Sequence, residues 1–159
     1  AGGFTLATPQ ATTSGTSKIF GSIPSGTNHV IVTFNGVLFT GGPIDNLQVK
    51  LGDSGGIESG GYVGLRGEIK ASPNLQDTAN GFELKSTSSH YASHGQMILT
   101  LESSATNTWA AFGFAQIDSQ EIIASGVGTK TLSGELTQLQ IAGTGGGTFS
   151  AGEVNILYI

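Results

Sequence analysis

Residues 52–56 read GDSGG, a spacing that can present a nucleophilic serine. Serine catalysis needs a histidine base, a carboxylate that orients it, and backbone N–H groups for the oxyanion. In the chymotrypsin-like order the histidine and aspartate come first and the serine lies well into a second barrel. Only His29 and Asp45 stand upstream of this motif, and the 51 residues that precede it cannot hold a barrel and most of another. Gly52, Ser54 and Gly56 also match the Gly-x-Ser-x-Gly elbow of α/β-hydrolases. That elbow opens a helix, and IESGGYVGLRG is glycine-rich and strand-like instead. Ser54 is therefore expected in a glycine-rich hairpin or loop after a strand over 46–52, with no catalytic role.

His90 and His94 in HYASH are four apart. On a helix that spacing aims both rings at one metal, but STSSHYASHGQ is poor helix material. On a strand the two would stand roughly 13 Å apart. The expectation is a loop in which His90, Tyr91 and His94 offer hydrogen bonds to a partner, with no metal site. Asp45, Asp53 and Glu58 could ring a calcium ion, yet the D-x-D-x-D-G pattern that supplies six to eight oxygens is missing. They read as turn residues, with Asp53 and Glu58 kept as candidate partner contacts. GTGGGT lacks the Gly-Lys-Ser/Thr ending of a phosphate-binding loop. Trp109 and Tyr62 are the candidates for an exposed aromatic platform, against the reading that Trp109 fills the core. Nothing else in the chain points to a cofactor.

Such side chains need a scaffold, and the dominant period is two. LQVKL, HVIVTF, MILTL and EVNILYI each alternate apolar and polar positions or align an apolar face, the signature of half-buried strands. Dense turn signals such as IPSGTN, TGGPIDN and GTGGGT separate them. Strands are expected over 17–23, 29–38, 46–52, 61–69, 81–86, 96–102, 108–117, 121–127, 136–142 and 148–159, with a further short run at 4–7. SPNLQDTANG is the one helical suggestion, with Ser72 as cap and Pro73 in the first turn. The pattern predicts an all-β chain: one antiparallel, jelly-roll-like β-sandwich domain over 17–159, preceded by an extended arm over 1–16. The arm is polar and hard to place in a core, and is expected to reach across to a neighbouring subunit. Leu157 and Ile159 fall on the face opposite Val154 and Tyr158. An apolar chain end with both faces greasy marks them as a candidate subunit interface.

Composition narrows the partners. The chain has 159 residues, no cysteine, a net charge of −5 and 11% charged residues. Disulfides and thiolate metal sites are excluded. The single arginine and scattered lysines offer no cationic cluster for phosphates, which argues against nucleic acid. No apolar run approaches the roughly 20 residues of a membrane-spanning helix, so no membrane insertion is expected. An N-terminal Ala suits removal of a preceding Met and a complete chain made in the cytoplasm.

Taken in order, IPSGTNHVIVTFNGV, LQVKLGDSGGIESGGYVG, GQMILTLESSATNTWAAFG, GTKTLSGELTQLQI and the ending TFSAGEVNILYI resemble short virion structural proteins and fibre-end domains of tailed bacteriophages. The similarity runs from about residue 17 to the end. It implies a β-sandwich virion surface protein, homotrimeric, made in the host cytoplasm and in contact with other virion proteins, and no enzyme. A capsid decoration or head-fibre component fits best. The alternative is a tail-fibre or lectin-like module that recognises host surface glycan through loops 39–46, 53–60, 87–95 and 143–147.

Overall fold

The computed structural model describes residues 2–41, 44–84, 91–118 and 122–159. Among these the chain forms strands and no helix, and every pairing is antiparallel. The body of the larger sheet is β4 (His29–Thr40), β7 (Tyr62–Ile69), β10 (Ser93–Ser103), β11 (Thr108–Ile117), β12 (Ile123–Thr131) and β14 (Thr148–Tyr158), in the order β14-β4-β10-β11-β12-β7. Two short strands, β1 (Thr5–Leu6) and β2 (Gln10–Ala11), pair with β14, and β8 (Leu75–Thr78) pairs with β7. The smaller sheet holds β3 (Ser17–Phe20), β13 (Gln138–Gly143), β5 (Leu47–Asp53) and β6 (Gly56–Ile57) in the order β3-β13-β5-β6, with β9 (Phe82–Leu84) also on β5. The expected all-β sandwich is present.

The pairs nest: β10 with β11, β7 with β12, β5 with β13, β4 with β14. A jelly roll divides such nested pairs evenly between two sheets. Here β10 and β11 both join the larger sheet, between β4 and β12, which makes that sheet broad and the other narrow.

One core lies between the sheets. Trp109, Phe82, Phe149, Met97, Leu51 and Leu139 are among its fully buried side chains. The sheets come into close contact where β9 crosses β12. A Cβ added at Gly126 would stand 2.0 Å from the Glu83 carbonyl oxygen, and one at Gly128 would stand 3.3 Å from the Phe82 ring. The inward positions of β12 must therefore be small, and Ala124 completes that set. A polar chain spans the sheets beside this crossing. Gln76 accepts from Arg66, Arg66 pairs with Glu83, and Gln48 donates to Glu83 at 2.9 Å.

Three expectations need correction. Residues 75–78 form strand β8 on the edge of β7 rather than helix, with Gly67 opposite Leu75 and Gly64 opposite Thr78. The β7 backbone there needs ladder partners, which a single helical turn would not supply. Residues 4–15 lie along this chain's own β14: Leu6 pairs with Leu157, Thr12 N–H donates to the Gly152 carbonyl, and Phe149 N–H donates to that of Gly15. The arm thus covers an edge in cis before entering β3. Finally, Tyr62 is buried, so it offers no exposed platform.

Candidate interaction surface

The strands that enclose the core also decide what faces water. On β11, Trp109 points inward and is 1% exposed. Alternation then sends Phe112 and Phe114 to the outer face, where each is 48% exposed. On β12 the inward positions are the small residues that β9 requires, so Val127 and Ile123 point outward, with Val127 50% exposed. On β7, Arg66 and Glu68 turn inward while Val63 and Ile69 turn outward, Val63 at 73% exposure.

Register lines these residues up. Leu157, Ile31, Ile98, Phe112, Val127 and Leu65 lie side by side across five neighbouring pairings, from β14 to β7. Leu6 extends that row onto β1. A second row runs from Phe114 through Ser125 to Gly67 and Leu75, with the Leu75 side chain lying over Gly67. Between these rows and beside them stand Thr100, Ala110, Thr129, Gln96 and Gln116. No Asp, Glu, Lys or Arg occupies an outward position between Gln96 and Thr100, Ala110 and Gln116, Ile123 and Thr129, or Val63 and Ile69. Phe112, Phe114, Ile123, Val127, Val63 and Ile69 are each between 46% and 73% exposed, a contiguous apolar set rather than the scattered single residues that need no explanation. The outer face of the smaller sheet differs: Gln140 and Lys50 share it with Ile19.

The residues singled out in the sequence fall elsewhere. Ser54 is exposed at the tip of the β5–β6 hairpin, where Gly55 N–H donates to Asp53 Oδ1 at 2.7 Å. That is the expected hairpin. The next element along the chain is strand β7, so there is no helix for a nucleophile elbow to open. His29, at the start of β4, has its Nδ1 2.9 Å from the Asn28 side-chain oxygen. His94 stands at the opposite end of the sandwich from the hairpin. Its Nδ1 accepts the Gly36 N–H at 3.1 Å, where β4 bulges, and its Nε2 lies 3.4 Å from the Asp118 carboxylate. Tyr91 is half-buried and packs against the core, while His90 lies outside the described residues.

Asp45 and the Asp53–Glu58 pair occupy opposite ends of the sandwich, so they cannot ring one ion. Asp45 is buried in the 143–147 turn, where its Oδ1 accepts from Gly145 N–H at 2.6 Å and Gly147 N–H at 3.2 Å. A Cβ at Gly143 or Gly147 would strike this carboxylate. GTGGGT thus wraps an aspartate of its own chain.

Glu58 accepts from Lys130 Nζ at 2.5 Å and from Ser133 N–H at 2.7 Å. Partial burial pushes its carboxyl up, but these hydrogen bonds outweigh it and hold the group below the ordinary carboxylate range. Tyr62 accepts the Leu51 N–H at 2.7 Å, donates to the Glu58 carbonyl at 3.1 Å and packs edge-on against Phe82. Burial pushes its phenol up to about 12. Lys130 Nζ sits 5.3 Å from the Tyr62 ring centre, a cation–π distance. Glu58 and Tyr62 thereby fix the 53–62 segment to β12. Leu157 lies in the long outer row beside Ile31, and Ile159 exchanges backbone hydrogen bonds with His29.

A pocket of about 500 Å³ opens at the hairpin end of the sandwich, lined by Asn28, Ser104, Asn107, Trp109, Glu135 and Leu136 among others. Glu135 is held below the ordinary carboxylate range by the Gly26 N–H and the Ser25 hydroxyl. None of these six residues belongs to the loops expected to carry ligand contacts. Among the described residues no group of three or more His, Asp or Glu could hold a metal ion, and no helix is long and apolar enough to cross a membrane.

No family model, curated protein or solved structure matches this chain.

The outer face of the large sheet was legible in part. Once Trp109 is placed in the core, alternation alone puts Phe112 and Phe114 outside. Val127 was harder to place, because in ASGVGTKT it is the most apolar residue and a period-two reading points it inward. The signal that could have found it is the run of small residues at 124, 126 and 128, which only a close-packed neighbour requires.

Proposed function

We propose that this chain is a structural surface component of a tailed-bacteriophage virion: an oligomeric capsid decoration or head-fibre protein, made in the host cytoplasm, that binds neighbouring virion subunits. The ordered similarity of its segments to such proteins suggests the setting. The observation that carries the reading is the broad apolar patch, free of ionised side chains, that β7, β10, β11 and β12 present on the outer face of the large sheet. A chain with net charge −5 that leaves this much apolar surface uncovered is suited to permanent contact with another subunit. Labelling intact particles of the encoding phage with antibody to this chain tests the proposal. Label on the capsid or fibre surface is expected, and unlabelled particles would reject it.

A second reading is favoured by the pocket beside Asn28, Ser104, Asn107 and Glu135: a receptor-binding module for host surface glycan. Amide and hydroxyl groups with one ionised carboxylate can pair with sugar hydroxyls. It predicts glycan-array binding that is lost in Asn107→Ala, and an array without signal counts against it.

A further inference from the structure

We infer that the outer face of the large sheet is a self-association surface whose occupant is the same face of a second copy of this chain, centred on Phe112, Phe114 and Val127. The inference rests on the proposed structural role and names the partner for it.

Size is the first argument. Six large apolar side chains stand 46–73% exposed on neighbouring strands, and the half-buried Ile31, Ile98, Leu65 and Leu157 continue the same face. A standard stable interface takes about 800 Å² from each partner. A single exposed aromatic would need no partner at all.

Charge is the second. Two copies each at −5 repel, and apposing their charged surfaces would add to that. The outward positions of β10, β11, β12 and β7 in this patch carry no ionised side chain, so two such faces meet without a like-charge contact and without stripping water from a charge. Charges on this face sit at its borders: Asp77 opposite Leu65 on β8, Glu153 on β14, the exposed Glu102 two residues beyond Thr100, and the Asp118–His94 pair beside Gln116.

Shape and topology complete the case. Face-to-face stacking of sheets is how antiparallel sheets ordinarily bury a second face, about 10 Å apart. The competing route, continuing the sheet from its edge, is hindered on the β14 side, where β1 and β2 already occupy that strand's free edge. A contact made by the same patch on each subunit closes as a two-fold dimer rather than growing into a filament, which departs from the homotrimer that the resemblance implies.

The test is sedimentation equilibrium of the full chain over a dilution series, for the wild type, Val127→Lys, Phe114→Lys and Ile19→Lys. Both outer-face substitutions fall at half-exposed positions, and an unchanged near-ultraviolet signal from the buried Trp109 checks that each variant folds. The expected result is a wild-type oligomer that at least tenfold dilution or either outer-face lysine shifts towards monomer, with Ile19→Lys, on the smaller sheet, behaving as wild type. An oligomer that persists equally in Val127→Lys and Phe114→Lys would overturn the inference and leave the proposed structural role standing. A monomeric wild type that still labels the virion surface would also overturn it, giving the face to a different virion protein. A monomer that does not label virions would reject the structural role as well.

Discussion

At Gly126 the two sheets leave no room for a side chain, so Gly126→Ala is a direct perturbation of their packing. The added methyl group would stand 2.0 Å from the Glu83 carbonyl oxygen and 3.4 Å from Leu84 Cδ2. To reach even a 3.0 Å contact, β9 must recede from β12 by about 1 Å or β12 must bend outward. The obstacle is backbone, so a side-chain rotation cannot relieve it. Receding β9 would draw Phe82 and Leu84, 1% and 2% exposed, out of the core and stretch the Arg66–Glu83 pair. Overpacking of this kind costs about 1–3 kcal/mol and more where the backbone is held. Replacing a strand glycine by alanine returns about 0.5–1 kcal/mol. A net loss of about 2 kcal/mol corresponds to a melting temperature lowered by about 4–8 °C for a chain of this length. Gly60→Ala is the matched control, because its Cβ would meet nothing within 4 Å, and it should stay within about 0.5 kcal/mol of wild type. Differential scanning calorimetry of both variants decides. If Gly126→Ala melts with or above Gly60→Ala, the close approach of β9 and β12 is wrong.

Tyr62 and Asp45 give predictions that read local chemistry. Because burial raises the Tyr62 phenol from 10.0 to about 12, the unfolded chain ionises first. The Tyr62 contribution to stability should be level between pH 7 and 10 and fall between pH 10 and 12, by at most about 3 kcal/mol. Tyr62→Phe should lose that contribution to the alkaline decline and be about 1–3 kcal/mol weaker at pH 7, since the Leu51 N–H loses its acceptor. Urea titrations at pH 7, 10 and 11.5 measure both effects. Asp45→Ala removes the acceptor of the Gly145 and Gly147 N–H groups and should cost about 2–4 kcal/mol in the same assay, while Asp45→Asn, which keeps a carbonyl oxygen there, should cost less.

These sites also mark how far the sequence alone could be read. Period-two alternation located the long strands because each has one buried face. It left out β2, β6 and β8, which are two to four residues long and exist because β14, β5 and β7 offer ladder partners. Turn chemistry placed Ser54 at a hairpin, since Asp-Ser-Gly-Gly closes locally. It could not assign GTGGGT, whose glycines are required by a carboxylate some 100 residues earlier. The exposed arm reading of 1–16 followed from its polar composition, whereas its docking on β14 depends on long-range backbone pairing that no composition encodes. The interaction surface stayed hidden for a related reason. Which face of β12 points outward is settled by the passage of β9, a contact between distant parts of the chain.

The measurement that tests the central claim most directly is the mass of the native wild-type protein by light scattering across a dilution series. An assembled structural subunit should hold a whole-number multiple of 16.1 kDa at micromolar concentration and begin to dissociate only well below it. A mass of 16.1 kDa at every concentration would contradict self-assembly through the outer face of the large sheet.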